Sequence, residues 1–197
     1  ITGSKSISNR LLILGKLFGD LKIENLSNSQ DTQLLQKALN EDSETVDIHH
    51  AGTAMRFLTS FYAIQEGRKT ILTGSERMKQ RPIKPLVDAL RELGAEINYL
   101  ENEGFPPLEI HGKRIEKNFV KIPANISSQF ITSLLLIGAS LENGLEIELK
   151  GEITSRSYIK MTLKILKDIG IESRFERNSI KILSSETSLY NKQLEKH

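Results

Sequence analysis

One pattern occurs three times along the chain and limits what it can fold into: a helix, a turn that ends in glycine, a strand, a second helix and then one or two strands. In the second and third copies the first helix is uniformly apolar and opens at Arg56–Ser60 and Gln129–Ser133. The strand and the amphipathic second helix then follow in both copies, at 69–74 and Pro82–Leu93, and at 145–151 and Ser157–Ile169. Both second helices stop at a glycine, as helices often do.

The first copy is less regular. We predict its first helix at Asn9–Phe18, its strand at Leu21–Leu26 and its second helix at Asp31–Leu39. A polar connector at 40–44 follows, and the strand Val46–Ile48 ends the copy.

Three such units predict an α/β (α+β) domain over residues 1–183, with units of the βαβαββ type at about 1–48, 49–112 and 113–183. We expect them to be related by pseudo-threefold symmetry, with the apolar first helices inside and the sheets outside. A length of 197 residues and an apolar content of 38% suit one domain with a substantial core. Residues 184–197 lose the apolar period and are expected to form a tail or linker.

Composition excludes several functions. With 27 basic and 25 acidic residues the net charge is only +2, which argues against nucleic acid or an anionic membrane as a partner. Without cysteine the chain has no disulfide, thiolate metal site or cysteine nucleophile, and it suits a reducing cytoplasmic location. The longest apolar run, 131–140, is too short to span a membrane, and the four histidines have no metal-ligand spacing.

Rotational symmetry would bring the N-termini of equivalent helices to one end of the domain, where their dipoles and free amides add. The segments before the first helices, Gly3–Ser8, His49–Ala54 and Pro123–Ser128, consist mainly of small and hydroxyl residues. The segments before the second helices, 78–82 and 153–158, add Arg81 and Arg156, so that five cations are expected at this end: Lys5, Arg10, Arg56, Arg81 and Arg156. The pattern predicts a site for a ligand that carries more than one anionic group.

Several of these residues also have a plainer interpretation. A serine before a helix is common as an N-cap, and of Ser127 and Ser128 we expect one to cap its helix and the other to be free. Arg56 and Arg77 could be solvated residues at helix ends, and Tyr158 could be a packing residue. We assign the His49–His50 pair to a strand end, with His50 reaching the site as the alternative.

Five motifs carry a resemblance to a known family. They are Gly3-Ser4-Lys5-Ser6-x-Ser8-Asn9-Arg10, Ala51–Arg56, Arg81–Ile83, Ser127–Phe130 and Ser155–Tyr158. In this order, over residues 2 to about 160, they resemble the signatures of the EPSP synthase family, the 3-phosphoshikimate 1-carboxyvinyltransferases. The resemblance implies one lobe of the enolpyruvyl transferase fold. It also implies transfer of an enolpyruvyl group from phosphoenolpyruvate to the 5-hydroxyl of shikimate 3-phosphate, without a metal or organic cofactor.

Carried over by position, the resemblance assigns five residues to phosphoenolpyruvate. Lys5 and Arg81 would contact it, and Gln129 would lie between the two substrates, so that Lys5 and Gln129 are the expected catalytic residues. Gly52 and Thr53 would bring the backbone close to the same pocket, which in this family also takes glyphosate.

The resemblance assigns a second set of residues to shikimate 3-phosphate. Ser6 and Arg10 would hold its carboxylate, and Tyr158 would pack on its ring. Its phosphate would be bound by three serines: Ser127, Ser128 and Ser155.

The chain departs from the family pattern at three positions. His50 stands where Asn is usual, which puts one loop contact in doubt, whereas Phe57 and Ser157 stand where Pro is common and are read as packing changes. Family enzymes also have a second lobe that supplies an acidic base and further cations. We therefore expect this chain to be one lobe of a monomeric enzyme, inactive without its C-terminal lobe.

Two alternatives remain open at this point. One is a lobe of another enolpyruvyl transferase. The other is an RNA-binding or RNA-end-processing module with the same repeat, which would need a basic stripe and stacking aromatic residues. The chain has only 7 Phe and 4 Tyr, and those in the predicted helices fall at apolar positions.

Overall fold

The computed structural model describes residues 3–19 and 21–185, and this part of the chain contains seven helices and eight strands. The helices are α1 (Lys5–Phe18), α2 (Gln30–Asn40), α3 (Gly52–Ala63), α4 (Glu76–Lys79), α5 (Lys84–Leu93), α6 (Ser128–Gly138) and α7 (Arg156–Asp168). The strands are β1 (Thr45–Asp47), β2 (Lys69–Thr73), β3 (Glu96–Tyr99), β4 (Leu108–His111), β5 (Phe119–Pro123), β6 (Leu145–Lys150), β7 (Ser173–Glu176) and β8 (Ser179–Ile182).

The strands form two four-stranded sheets with the same topology. One has the order β1-β2-β4-β3 and the other β5-β6-β8-β7. In each sheet the first two strands are parallel, as in the pairs Val46 with Leu72 and Ile122 with Leu149, and the remaining pairs are antiparallel. Each of the two units that form these sheets therefore runs strand, helix, strand, helix and hairpin. The unit of the first sheet has the short helix α4 in addition. The predicted α/β class is confirmed, and this repeat is the fold's building block.

The first unit differs from its prediction. Residues 21–26 form no strand, and the backbone bends at Asn25, whose φ is 57°. A strand needs a neighbour for its backbone N–H and C=O groups, and no other strand lies beside this segment within the described residues. Leu21 and Ile23 instead pack beside Gly15 of α1. The strand predicted at Val46–Ile48 was expected to end the first unit. It corresponds to β1, which pairs with β2 and so begins the second unit.

Two helices form the centre of the domain. All twelve residues of α3 are buried, and α6 is buried from Phe130 onward. The two helices pack together through hydroxyl groups that satisfy one another: Ser133 Oγ lies 2.6 Å from both Ser60 Oγ and the Arg56 carbonyl oxygen. Buried polar groups of this kind cost little because each has a partner.

The second helices lie farther out and are amphipathic. In α5, Leu86, Val87 and Leu90 are buried while its charged residues face outward. The helix begins at Lys84, two residues later than predicted, because Pro85 and not Pro82 occupies its first turn. It ends at Gly94, whose φ of 109° is the left-handed conformation that glycine adopts easily.

The predicted tail, 184–197, lies largely outside the described residues, which end at Ser185. At that end the Ser185 N–H donates to the Ala139 carbonyl, 2.9 Å away. Among the described helices, none has the length and apolar character needed to cross a membrane.

Candidate anion-binding site

A cavity of about 260 Å³ lies where the N-termini of α1, α3, α6 and α7 come together. Eight of the predicted site residues line it, with Asn9 and Phe57 in addition. The eight are Lys5, Ser6, Arg10, Thr53, Ser127, Ser128, Gln129 and Tyr158. Residues that are as much as 153 positions apart in the sequence thus share one cavity.

Helix N-termini give this cavity a positive character before any side chain is considered, because the first backbone N–H groups of a helix lack partners within it. Ser4 and Ala51, the N-caps of α1 and α3, make no side-chain capping bond. At α6 the Ser127 hydroxyl accepts from the Gln129 N–H at 3.3 Å, while no capping bond involves the Ser128 hydroxyl. One serine of the pair caps and the other does not, as predicted.

Arg10 is the central cation of the cavity, although it is only 4% exposed. Its guanidinium joins three helices: Nε donates to Thr162 Oγ1 at 2.9 Å, Nη1 to the Ser6 carbonyl at 2.6 Å, and Nη2 to Thr132 Oγ1 at 3.3 Å. A guanidinium has five N–H donors, so two remain after these three bonds.

Arg10 has no acidic partner in the part of the chain that the structure describes. Within the described residues no carboxylate oxygen lies within 4.0 Å of a side-chain nitrogen of Lys5, Arg10, Arg56 or Arg81, although ion pairs are common elsewhere. Burial lowers the pKa of Arg10 to about 10, and the Tyr158 phenol opposes that shift. Arg10 is therefore still charged at neutral pH, and a buried charge without a partner favours binding of an anion.

Four further lining residues lie around the Arg10 guanidinium: Lys5 and Ser6 of α1, Thr53 of α3 and Gln129 of α6. Lys5 is exposed in the first turn of α1, where it meets no carboxylate that would compete with a ligand. Gln129 Nε2 donates to Thr53 Oγ1 at 3.3 Å and ties the start of α6 to the start of α3. The amide is thus held at the wall of the cavity.

Gly52 and Arg81 form a pair beside the cavity and do not line it. Arg81 is exposed, and its guanidinium lies directly over the Cα of Gly52, so that a Cβ at position 52 would overlap the guanidinium. Glycine is thus needed here for a close approach of a cation to the backbone. Arg81 precedes α5 by three residues and does not sit at its first position.

Arg56 is neither solvated nor at the cavity. It is 5% exposed and holds two backbone segments together by donating to the Gly52 carbonyl at 3.0 Å and the Pro82 carbonyl at 3.3 Å. Burial, followed by the nearby charge of Arg81, lowers the pKa of Arg56 to about 10. The solvated interpretation is therefore wrong for Arg56, whereas Arg77 is exposed on α4 as that interpretation expects.

Ser155 and Arg156 were expected near the same ligand, and they lie outside the cavity lining. Ser155 is the N-cap of α7 and has a left-handed backbone, with φ of 56°, that is uncommon for serine. The Arg156 guanidinium lies over the Phe175 ring at 5.6 Å. His49 and His50 form the exposed turn after β1, in keeping with their assignment to a strand end.

Asn9 and Phe57 are the lining residues that sequence reasoning left without a role. Asn9 is fully buried and joins α1 to α2, since its amide donates to Asp31 and accepts from Thr32 at 2.7 Å. Phe57 is 1% exposed, and its ring lies 5.8 Å from Arg10 Cζ. Asn9 belongs to the first motif, and that membership could have indicated a place at the site. Phe57 was interpreted only as a packing change from the Pro that is common at its position.

The described residues hold no cluster of three or more His, Cys, Asp or Glu that could bind a metal ion. The chemistry available in the cavity is that of cations, hydroxyls, two side-chain amides and helix N-termini. All of these stabilise negative charge.

The fold and the cavity define a class: an α/β repeat domain with a cationic cavity at converging helix N-termini. The family model described as EPSP synthase (3-phosphoshikimate 1-carboxyvinyltransferase) matches residues 35–193. The chain belongs to the EPSP synthase family, as its motifs predicted.

Individual relatives agree with this assignment. A 3-phosphoshikimate 1-carboxyvinyltransferase of Bacteroides fragilis is 54% identical over 171 residues, which cover 86% of this chain and 42% of that protein. A Haemophilus influenzae protein of the same name is 41% identical over 201 residues, covering 87% and 46%. An EPSP synthase structure from Acinetobacter baumannii shares the fold, with a TM-score of 0.75 at 19% identity, covering 94% of this chain and 46% of that one. The chain thus spans less than half the length of these relatives.

We predict that Arg10→Lys weakens binding of orthophosphate to the cavity by about tenfold, because lysine keeps the charge but loses the two-pronged donor geometry. Amide NMR titration measures it through the signals of Ser6, Thr53 and Gln129 in the wild-type chain. Arg77→Lys, on the exposed face of α4, is the matched control and should bind like the wild type. If phosphate leaves the three amides unmoved in the wild type, the cavity is not an anion site.

Proposed function

We propose that this chain forms the shikimate 3-phosphate-binding half of a 3-phosphoshikimate 1-carboxyvinyltransferase. The complete enzyme would transfer the enolpyruvyl group of phosphoenolpyruvate to the 5-hydroxyl of shikimate 3-phosphate, a step toward chorismate and the aromatic amino acids. Family membership supports the reaction class, and the relatives' greater length supports a second half that completes the site. The absence of cysteine fits the cytoplasmic location that we also propose.

The observation that carries the proposal is the state of Arg10: buried, charged at neutral pH and without a carboxylate partner in the described residues. Such a cation is costly in the empty domain and becomes favourable when a ligand carboxylate arrives. With Ser6 beside it, Arg10 fits the proposed role of holding the carboxylate of shikimate 3-phosphate.

The serines at the start of α6 suit a phosphate. Ser127 uses its oxygen as an acceptor for a backbone N–H, which leaves its O–H free to donate to an anion. The Ser128 hydroxyl and the free N–H groups of the first turn add donors to the same place. Ser155 would join them from the α7 cap, and Tyr158, 44% exposed at the cavity wall, offers a ring face for the sugar-like ring.

Phosphoenolpyruvate would bind on the side of α3. Arg81, whose guanidinium lies over Gly52 of α3, and Lys5 of the cavity lining would contact it. Thr53 would lie beside the same pocket, and Gln129, which donates to Thr53, would lie between the two substrates. In the reaction a proton adds to the methylene carbon of phosphoenolpyruvate and the 5-hydroxyl oxygen bonds to C2. The hydroxyl proton is lost, and the tetrahedral intermediate then eliminates phosphate while its methyl group loses a proton, which restores the carbon–carbon double bond. Cations that hold the phosphates and carboxylates supply much of the stabilisation.

A nucleic-acid module fits less well. The cavity lining holds two cations, Lys5 and Arg10, and one exposed aromatic ring, that of Tyr158. The nearby rings of Phe57 and Phe130 are 1% and 5% exposed, so the site lacks the row of exposed rings on which successive bases stack. A different enolpyruvyl transferase would share the fold, but the family match favours the shikimate substrate.

We predict that Ser127→Ala combined with Ser128→Ala weakens binding of shikimate 3-phosphate far more than binding of shikimate. Each lost hydrogen bond to a charged group is worth about 1.5–3 kcal/mol, or roughly ten- to hundredfold in affinity. Isothermal titration of both ligands measures the difference, with Ser140→Ala at the other end of α6 as the control. Equal losses for the two ligands would remove the serines from the phosphate site.

Gly52→Ala should reduce inhibition by glyphosate more than it reduces turnover, because the added methyl displaces the Arg81 guanidinium from its place over the backbone. The assay uses this chain completed with the part of the Bacteroides fragilis relative that it does not cover. Gly15→Ala is the control, since a methyl there meets its neighbours at 3.7 and 3.8 Å, an ordinary contact distance. An unchanged inhibition constant would place Gly52 away from the phosphoenolpyruvate pocket.

The chain by itself should bind shikimate 3-phosphate weakly and transfer no enolpyruvyl group. Water in an open cavity weakens every interaction between cation and phosphate, and the groups proposed for the second half are lacking. We expect turnover only after the chain is mixed with the uncovered part of the Bacteroides fragilis relative. Release of phosphate in the presence of both substrates is the measurement, and turnover by this chain alone would contradict the proposal.

A further inference from the structure

Phe57 occupies an unusual place for a core residue. Its side chain is 1% exposed within the fully buried helix α3, yet its ring forms part of the cavity wall. The ring centroid lies 5.8 Å from Arg10 Cζ, and the Tyr158 ring of α7 lies 6.0 Å from the same atom. Two aromatic rings from different helices thus face the one buried cation of the cavity.

The hydrogen bonds of Arg10 do not neutralise its charge. All three acceptors, on Ser6, Thr132 and Thr162, are uncharged oxygens, and no carboxylate among residues 3–19 and 21–185 lies within 4.0 Å. The negative face of an aromatic ring is therefore the other source of stabilisation that the structure offers this guanidinium. Tyr158 is 44% exposed and its face is partly in water, so the buried Phe57 ring is the better desolvated of the two.

We propose that Phe57 is a positioning residue: its ring stabilises the Arg10 guanidinium and holds it facing the cavity before any ligand binds. Phe57 acts through Arg10, and we assign it no direct contact with a ligand. A guanidinium held in this way loses little freedom when an anion arrives, which favours tight binding. The consequence for shikimate 3-phosphate rests on the proposed function, whereas the effect on Arg10 in the empty protein does not.

The chain offers a matched control one turn along the same helix. Phe61 is 4% exposed and packs edge-on against Tyr62, with a centroid distance of 5.5 Å, and its ring is not one of the two that face the Arg10 guanidinium. Phe57→Leu and Phe61→Leu each remove one buried ring from α3 and keep an apolar side chain. Their costs in stability should be similar, and only the first should affect Arg10.

The experiment has two readouts on the isotope-labelled chain. The first is the Nε–Hε NMR signal of Arg10 without ligand, which reports ring currents and hydrogen bonding at the guanidinium. The second is the affinity for shikimate 3-phosphate by isothermal titration. We expect Phe57→Leu to shift the Arg10 signal and to weaken binding about three- to thirtyfold, in line with a desolvated cation–π contact. Phe61→Leu should change neither, and Phe57→Met replaces Phe57→Leu if that variant fails to fold.

The possible outcomes separate the inference from the proposed function. Equal changes in the Arg10 signal and in affinity for the Phe57 and Phe61 variants would mean general damage to the core and would overturn the inference. An Arg10 signal that is insensitive to Phe57 would overturn it as well. If the signal moves only with Phe57 but the wild-type chain binds no shikimate 3-phosphate, positioning of Arg10 stands and the proposed function fails.

Discussion

The complete burial of α3 is the constraint on which the rest of the structure depends. A helix with no exposed face must be covered on every side, and here α1, α2, α5, α6 and strands of the first sheet cover it. Sheets can then lie only on the outside, and every polar group of the helix needs a partner inside the domain. The hydroxyls of Thr59, Ser60 and Ser133 meet that need, and they let the two central helices approach closely.

Burial of the central helices also accounts for the contrast between two arginines. Arg56 belongs to α3 itself, so its guanidinium turns to backbone carbonyls and fixes the loop that carries Arg81. Arg10 lies on α1 and reaches the point where the helix N-termini meet, and there it keeps donors for a ligand. Both have a pKa lowered by desolvation, yet one holds the backbone together and the other faces the cavity.

Much of the fold could be predicted from the sequence because its signals are local. Apolar runs with glycine stops identified α3, α5, α6 and α7 and the strands between them, with helix starts that differ from the prediction by up to four residues. The segment 21–26 shows the limit of such signals. Its alternation is that of a strand, but a strand exists only if another chain segment pairs with it, and periodicity carries no information about a neighbour.

The candidate site, like the fold, was predicted from the sequence only in part. By themselves, the residue types at the helix starts determined that small hydroxyl residues and cations would be concentrated there, because caps and anion-binding turns leave a local signature. Only the tertiary structure decided which of them meet. It brought Arg10, Thr53 and Ser127 into one cavity, left Ser155 and Arg156 outside its lining, buried Arg56, and set the Phe57 ring against Arg10. Burial and contact depend on how helices pack across long stretches of sequence, and no pattern within one segment contains that information.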